Sequence, residues 1–150
     1  KDHLRGIWVW GPAGSGKSRW ARSHGVEHYP KLCNKWWDGY KGQSLVIMDD
    51  FGLKMEMLFQ QLKIWSDRYG CVLETKGGAI ADDYEWFIVT SQYSLQEVCG
   101  ADVTTLSALE RRFQQYHIDT IDTFQLKIKK TMEMGIEDWE GVKGVSKGNN

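Results

Sequence analysis

A glycine-rich segment followed by lysine and serine is the part of this sequence with the clearest chemistry. It fits the pattern G-x-x-x-x-G-K-[ST], in which backbone N–H groups surround phosphate oxygens. The lysine of this pattern reaches the β- and γ-phosphates, and the serine hydroxyl is a ligand for Mg²⁺. A short apolar run, Gly6–Trp10, precedes the segment, and a potential helix follows it, which is the context that a phosphate loop requires. The predicted nucleotide-binding residues are Gly11, Pro12, Ala13, Gly14, Ser15, Gly16, Lys17 and Ser18.

Two consecutive carboxylates end a second apolar run, which predicts a strand over Leu45–Asp49. We expect Asp49 to join Ser18 in holding Mg²⁺, and Asp50 to orient or deprotonate an attacking water. An acidic strand end that caps a helix or turn is the plainer interpretation. The phosphate loop earlier in the chain favours the interpretation that both carboxylates act in catalysis.

A third apolar run ends in Ile-Val-Thr-Ser and then Gln92. An amide at the end of a strand beside a nucleotide can sense the γ-phosphate and position water. From the residues alone, an ordinary turn residue at the end of a strand is the better explanation of Gln92.

The segment Glu74–Gly78 predicts a strand that leads into a tight turn with a lysine at its tip. Glycine permits close approach of a phosphate backbone, which an exposed lysine would contact. Taken in isolation, an ordinary solvated lysine on a hairpin is the better interpretation. The residues predicted to contact nucleic acid are Lys76, Gly77 and Gly78.

Arg111 and Arg112 follow a capping-box pattern at Ser107, which predicts a helix that begins there and carries both arginines. Neighbouring helical side chains point in different directions, so the two should not share one task. One of them could reach the γ-phosphate of a neighbouring subunit, as an arginine finger does. Surface salt bridges are the alternative.

Two other patterns have plainer interpretations. His24–His28 fits H-x-x-E-H, a metalloprotease signature, but Gly25 and Pro30 argue against the continuous helix which that site needs. We therefore expect an exposed helix end. The cluster Trp36–Tyr40 could stack on bases, but its tryptophans more often fill a core or an interface.

Composition sets limits on these interpretations. The chain has 150 residues and a net charge of −1, so it lacks the overall basic character of many nucleic-acid-binding proteins. Its three widely spaced cysteines form no C-x-x-C pair and favour reduced thiols over a disulfide framework or zinc site. No apolar run is long enough to span a membrane, and no targeting segment is recognisable.

Strand-like and helix-like segments alternate, which predicts an α/β domain with a mostly parallel central sheet flanked by helices. We expect one domain over residues 1–134, with a flexible tail over 135–150 that is rich in Gly, Lys and Asn. The longest predicted helix is Lys54–Tyr69, and a capping box predicts another that begins at Ser94. The further predicted strands are Cys71–Thr75, Trp86–Ser91 and a β-like stretch over His117–Lys129.

Taken in order, the motifs resemble the superfamily 3 helicase domain of replication initiator proteins from circovirus-like, circular single-stranded DNA viruses. The resemblance extends over most of the chain to about residue 115. It is carried by the motifs at 11–18, 34–40, 46–51, 67–69, 74–78, 88–91 and 111–113.

This resemblance implies an AAA+-like core and an ATP-driven helicase or translocase on single-stranded DNA, with ATP and Mg²⁺ as cofactors and the host nucleus as location. It assigns Lys17, Asp49, Asp50, Gln92 and one of Arg111 and Arg112 to catalysis, and implies a homo-oligomer, hexameric in the full-length protein. The family usually has Asn where this chain has Gln92. The nicking motifs of full-length initiators are not found in this sequence, and the helical collar that helps such rings assemble is also not evident.

Two alternative functions would also use a nucleotide bound at the phosphate loop. A small-molecule kinase could be built on the same loop, although the Lys76 hairpin has no role in one. A nucleotide-gated DNA-binding or assembly module would hydrolyse ATP slowly and would not unwind DNA.

Overall fold

The computed structural model describes residues 3–118, and its centre is a five-stranded parallel sheet. The strand order is β2-β3-β6-β1-β7, and a separate antiparallel hairpin joins β4 to β5. This arrangement confirms the predicted α/β class with a parallel sheet and flanking helices, and it is consistent with a phosphate-loop nucleotide-hydrolase core. The strands are β1 (Gly6–Trp10), β2 (His28–Pro30), β3 (Leu45–Phe51), β4 (Val72–Thr75), β5 (Gly78–Ala81), β6 (Trp86–Ser91) and β7 (Phe113–His117).

Three of the predicted strands, β1, β3 and β6, are present in the sheet. The bounds of β1 and β6 are those predicted, whereas β3 continues for two residues beyond Asp49. The β-like stretch from residue 117 contributes only its first residue to β7, and residues 119–129 lie outside the described residues. The predicted domain boundary at residue 134 and the tail over 135–150 also lie outside them.

The four α-helices within the described residues are short. They are α1 (Lys17–Arg22), α2 (Phe59–Ser66), α3 (Leu95–Cys99) and α4 (Val103–Glu110). Among residues 3–118, no helix has the length and apolar character needed to cross a membrane.

The predicted helix over Lys54–Tyr69 is wrong in its bounds. A 3₁₀ turn, Glu56–Leu58, leads into α2, which ends at Ser66 because Asp67 adopts an extended ψ of 134°. Lys54 has a φ of +65°, which a right-handed helix cannot contain. Leu62 and Trp65 of α2 are buried, whereas Tyr69 lies beyond the helix and is 81% exposed.

The two predicted capping boxes have different outcomes. At Ser94 the reciprocal bonds of the box are present, with the Glu97 N–H donating to the serine hydroxyl at 3.1 Å. The box at Ser107 is wrong, because α4 begins four residues earlier. Asp102 caps it by accepting a hydrogen bond from the Thr105 N–H at 3.0 Å.

Both faces of the sheet are covered, as a parallel sheet requires. Alternate residues of each strand face opposite sides, so Trp8 of β1 joins one cluster while Ile7 and Val9 join the other. The larger cluster contains buried apolar residues from α2, α3 and α4, and the smaller one contains Trp20 and Ala21 of α1. The strands are therefore held in place from both sides.

Trp37 lies at the centre of the larger cluster and is completely buried. Its ring stacks on Tyr84 at 5.4 Å and on Tyr29 at 5.4 Å, and it meets the edge of Trp65. Core packing, the predicted role of the tryptophan cluster, therefore holds for Trp37, while Trp36 is only half-buried.

We expect Trp37→Ala to lower the free energy of unfolding by about 3–5 kcal/mol, because it removes a fully buried aromatic side chain. Trp36→Ala is the matched control and should cost about 1 kcal/mol or less. Urea unfolding followed by circular dichroism measures both values. Equal losses for the two variants would contradict this assignment of the core.

Candidate nucleotide-binding site

The glycine-rich segment connects the end of β1 to the start of α1. The Gly11 N–H donates to the Ser91 carbonyl at 3.1 Å, which fixes the loop to the end of β6. A Cβ atom on Gly11 would lie 2.8 Å from the Ile118 carbonyl oxygen, so only glycine fits there. Gly16 has a φ of +94° immediately before the helix, a left-handed conformation that glycine adopts without strain.

Lys17 is buried within this loop. Its ammonium group donates to the carbonyl oxygens of Gly11 and Pro12, both at 2.9 Å, and to the Ser15 hydroxyl at 3.4 Å. Burial lowers the pKa of Lys17, while the nearby Asp50 and Asp49 carboxylates act in the opposite direction. The loop thus encloses a positive charge, as a phosphate site requires.

The Asp49 carboxylate connects three elements of the fold. Its Oδ1 accepts hydrogen bonds from the hydroxyls of Ser18, at 3.0 Å, and Thr90, at 2.8 Å. Its Oδ2 forms an ion pair with Arg22 on α1. The carboxylate therefore has one fixed orientation, next to the serine hydroxyl with which it was predicted to act.

Asp50 differs in its environment from Asp49. It lies near the end of β3 with a φ of +61°, and its side chain lines an open cleft beside the phosphate loop. Gln92 follows β6, is exposed, and lines the same cleft. This cleft of about 320 Å³ is lined by Ala13, Gly14, Gly16, Lys17, Ser18, Arg19, Asp50 and Gln92.

The donor set of this cleft suits a nucleotide with Mg²⁺. Mg²⁺ prefers oxygen ligands, and the Ser18 hydroxyl and Asp49 carboxylate are two such ligands within 3.0 Å of each other. The loop contributes backbone N–H groups at the start of α1, and Lys17 contributes a buried cation. These residues fit both ATP and its metal ion.

Thr90 and Arg22 are two residues of this site that the sequence analysis missed. Arg22 lies four positions after Ser18, which puts the two on the same face of α1. That spacing could have indicated a second partner for the carboxylate. Thr90 lies within the apolar run before Gln92, where only knowledge of the strand register identifies its partner.

Arg111 and Arg112 lie far from the phosphate loop of their own chain. Arg112 immediately precedes β7, whose first residue pairs with Gly6 at the start of β1, whereas the loop leaves the end of β1. The five residues of β1 separate the two places by about 16 Å. The arginine pair is therefore at the amino edge of the sheet, and the predicted nucleotide site is at the carboxyl edge.

The two arginines have different partners but share one cleft. Arg111, the C-cap residue of α4, is exposed and donates to the Ser107 hydroxyl at 3.3 Å. Arg112 is half-buried, donates to the Ala108 carbonyl at 2.8 Å and is ion-paired with Asp67 at 3.5 Å. The prediction of a helix that carries both arginines is wrong, because α4 ends at Glu110, and both side chains line one cleft of about 470 Å³.

The predicted lysine hairpin is the β4–β5 pair, with Lys76 and Gly77 in its turn and Gly78 at the start of β5. Lys76 is exposed, and a Cβ atom on either glycine would meet nothing within 4 Å. The Lys76 N–H donates to the Asp38 carboxylate at 3.0 Å, which ties the turn to the tryptophan segment. The turn therefore exposes the lysine side chain and leaves free space beside the backbone of the two glycines.

The H-x-x-E-H pattern forms no helical site, because α1 ends at Arg22 and His28 begins β2. His24 packs against Trp20 and is half-buried, so the expected exposed helix end is only partly correct. Across residues 3–118, no group of three or more His, Cys, Asp or Glu side chains could hold a metal ion. The three cysteines are free thiols, as expected.

These features define the class of the protein as an α/β domain of the phosphate-loop type, and comparisons with known proteins give its family. A family model described as RNA helicase matches residues 7–76. The replication-associated protein of goose circovirus is 41% identical over 117 residues, covering 76% of this chain and 38% of that protein. The replication-associated protein of porcine circovirus 1 is 37% identical over 106 residues, covering 68% of this chain and 33% of that protein.

The chain therefore belongs to the family of circovirus-like replication-associated proteins, as a helicase-type domain, and the resemblance in its motifs is confirmed. It spans only about a third to two fifths of the length of these two relatives.

Proposed function

We propose that this domain hydrolyses ATP to move on or unwind single-stranded DNA during initiation of viral replication. One observation carries the proposal: the phosphate loop, the paired carboxylates and Gln92 come from separate parts of the chain and meet at one edge of the sheet. A domain that only bound DNA would not need a second carboxylate beside the first.

The chain's own residues divide the work of hydrolysis. Lys17 would release the loop carbonyls and bind phosphate oxygens, and Ser18 and Asp49 would hold Mg²⁺. Bound ATP with Mg²⁺ would supply the phosphoryl group and the charge that stabilises its transfer. Asp50 would orient a water molecule or accept its proton, and Gln92 would contact the γ-phosphate region through its amide.

The Lys76 hairpin is the proposed contact with single-stranded DNA. Its exposed lysine and two unobstructed glycines suit a phosphate backbone, which has the same chemistry at every position. The relatives are named as replication-associated proteins, which supports DNA as the nucleic acid that is bound. The matching family model is described as RNA helicase, so RNA is the competing ligand.

The position of the arginine pair supports a site shared between subunits. Arg111 and Arg112 are at the sheet edge opposite the phosphate loop, so they cannot complete the site of their own chain. They could complete a neighbour's site in a ring, which we propose to be hexameric in the full-length protein. We further propose that the protein acts in the host nucleus, where a DNA replication initiator of this type would find the replication machinery.

We expect Lys17→Ala to abolish both tight ATP binding and hydrolysis, because the phosphates lose their buried cation. Asp50→Asn should reduce turnover by at least about 100-fold and change ATP affinity by less than about threefold, since Asp50 acts on water rather than on the phosphates. Phosphate release and isothermal titration measure the two quantities. Equal loss of ATP affinity in both variants would contradict the division of roles, and hydrolysis that DNA does not stimulate would favour a kinase.

We expect Lys76→Ala to weaken binding of single-stranded DNA similarly for all sequences. It should also reduce the slope of log K against log salt by about 0.7, the value for one lost contact with a single strand. Lys41→Ala is the control, because Lys41 is also exposed but lies near the opposite end of the hairpin, beside Ala81. A loss limited to certain bases, an equal loss for Lys41→Ala, or tighter binding of RNA than DNA would contradict the assignment.

We expect Arg111→Ala to lower turnover by about 10³-fold or more with ATP affinity retained, as loss of a finger does in known cases. Arg112→Ala should act mainly on stability, because Arg112 is ion-paired with Asp67 within its own chain. In a preparation shown to assemble, mixing excess Arg111→Ala chains with Lys17→Ala chains should restore part of the activity. An intact site would then form wherever the phosphate loop of an Arg111→Ala chain faces Arg111 of a Lys17→Ala chain. Assembly without rescue would mean that Arg111 does not complete a neighbour's site and has a structural role.

A further inference from the structure

The two carboxylates of the site lie in an irregularity of the sheet. From Met48 to Phe51, β3 advances three residues, while its partner β6 advances only two, from Val89 to Ser91. One extra residue is therefore inserted at Asp49–Asp50, opposite Thr90, as in a β-bulge. Bulges redirect side chains and are common next to active sites.

This insertion explains how two consecutive residues can serve one site, with Asp50 lining the cleft and Asp49 bonded to Ser18 beside it. In a regular strand, neighbouring side chains point to opposite faces, which would separate Asp49 from Asp50. Here Asp50 adopts a φ of +61°, an uncommon conformation for a residue other than glycine. Such a conformation persists only when surrounding contacts hold it.

The hydroxyl of Thr90 makes two of these contacts. It donates to Asp49 Oδ1 at 2.8 Å and accepts a hydrogen bond from the Asp50 N–H at 3.0 Å. The side chain is completely buried, so water does not compete for either bond. One hydroxyl therefore fixes the carboxylate of the first aspartate and the backbone of the second.

We propose that Thr90 is a positioning residue for ATP hydrolysis, a role that rests on the proposed function. By fixing Asp49 Oδ1 next to the Ser18 hydroxyl, Thr90 orients the carboxylate as a metal ligand. By holding the Asp50 N–H, it keeps the bulge in the conformation that puts the Asp50 side chain in the cleft. Thr90 itself contacts neither nucleotide nor metal in this role.

The next residue along β6 provides a matched control. Ser91 is also buried, and its hydroxyl also bridges two backbone segments, donating to the Phe51 carbonyl at 2.6 Å and accepting from the Tyr93 N–H at 3.0 Å. Like the Thr90 hydroxyl, the Ser91 hydroxyl links β6 to β3, but neither of these two hydrogen bonds involves Asp49 or Asp50. A purely structural effect of a lost hydroxyl should therefore be similar at both positions.

The test compares Thr90→Val, Thr90→Ser and Ser91→Ala in the complete chain. ATP affinity is measured by isothermal titration, once with Mg²⁺ and once with EDTA, alongside turnover and the urea midpoint of unfolding. The phosphate loop, Ser18 and Asp49 all belong to one chain, so ATP affinity can be measured whether or not rings form. The ratio of the two affinities isolates what the metal contributes.

We expect both Thr90→Val and Ser91→Ala to unfold at lower urea concentration. Only Thr90→Val should lose about 10–100-fold of the Mg²⁺-dependent gain in ATP affinity, the usual effect of removing a residue that orients a metal ligand. Its affinity in EDTA should stay within about twofold of the parent, and its turnover should fall. Thr90→Ser keeps the hydroxyl, so its Mg²⁺-dependent gain in ATP affinity and its turnover should both lie within about threefold of the parent values.

Three results would overturn the proposal: an unchanged Mg²⁺-dependent gain in Thr90→Val, an equal loss in Ser91→Ala, or a folded Thr90→Ser variant that shows no rescue. If Thr90→Val does not fold, Thr90→Cys decides by the same comparison, because a thiol is similar in size but a weak hydrogen-bond donor. The parent protein separates this proposal from the one it rests on. Absence of Mg²⁺-dependent ATP binding in the parent would refute both, whereas a normal parent with an unaffected Thr90→Val would refute the positioning role alone.

Discussion

The orientation of the Asp49 carboxylate is the constraint on which the candidate site depends. Its oxygens accept bonds from α1, through Ser18 and Arg22, and from β6, through Thr90. The carboxylate thus joins the helix after the phosphate loop to the strand that precedes Gln92. Arg22 also balances its charge, so a partly buried carboxylate remains paired rather than paying the full cost of desolvation.

The sequence predicted the parts of the fold that follow from local pattern, and missed those that depend on pairing. The strands β1 and β6 are apolar runs bounded by polar residues, and their limits were predicted correctly. The bulge in β3 could not be predicted, because it exists only relative to β6. At Ser107 the local pattern of a cap was present, but Asp102 offered an earlier cap with two bonds to Thr105.

The parallel sheet has a consequence for how a catalytic site could be completed. All five strands run in one direction, so loops after the strands gather at one edge, and residues before the strands gather at the other. The phosphate loop belongs to the first group and Arg112 to the second. A residue at the opposite edge is separated from the loop by the full length of the strands. The geometry that excludes the arginine pair from the site of its own chain is the same one that would present the exposed Arg111 to a neighbouring subunit.

Trp37 and Asp38 of the aromatic cluster support the hairpin, and the buried ring of Trp37 does not offer a surface to bases. The Trp37 N–H donates to the Glu74 carbonyl at 2.8 Å, and Asp38 accepts from the Lys76 N–H. A tryptophan that is completely buried thereby anchors β4, and its neighbour anchors the turn. Since the ring of Trp37 is used in the core, the tip of the hairpin has a lysine and glycines to offer a nucleic acid. Contacts of that kind are made with phosphates and carry no sequence information, which suits the proposed movement along a strand of any sequence.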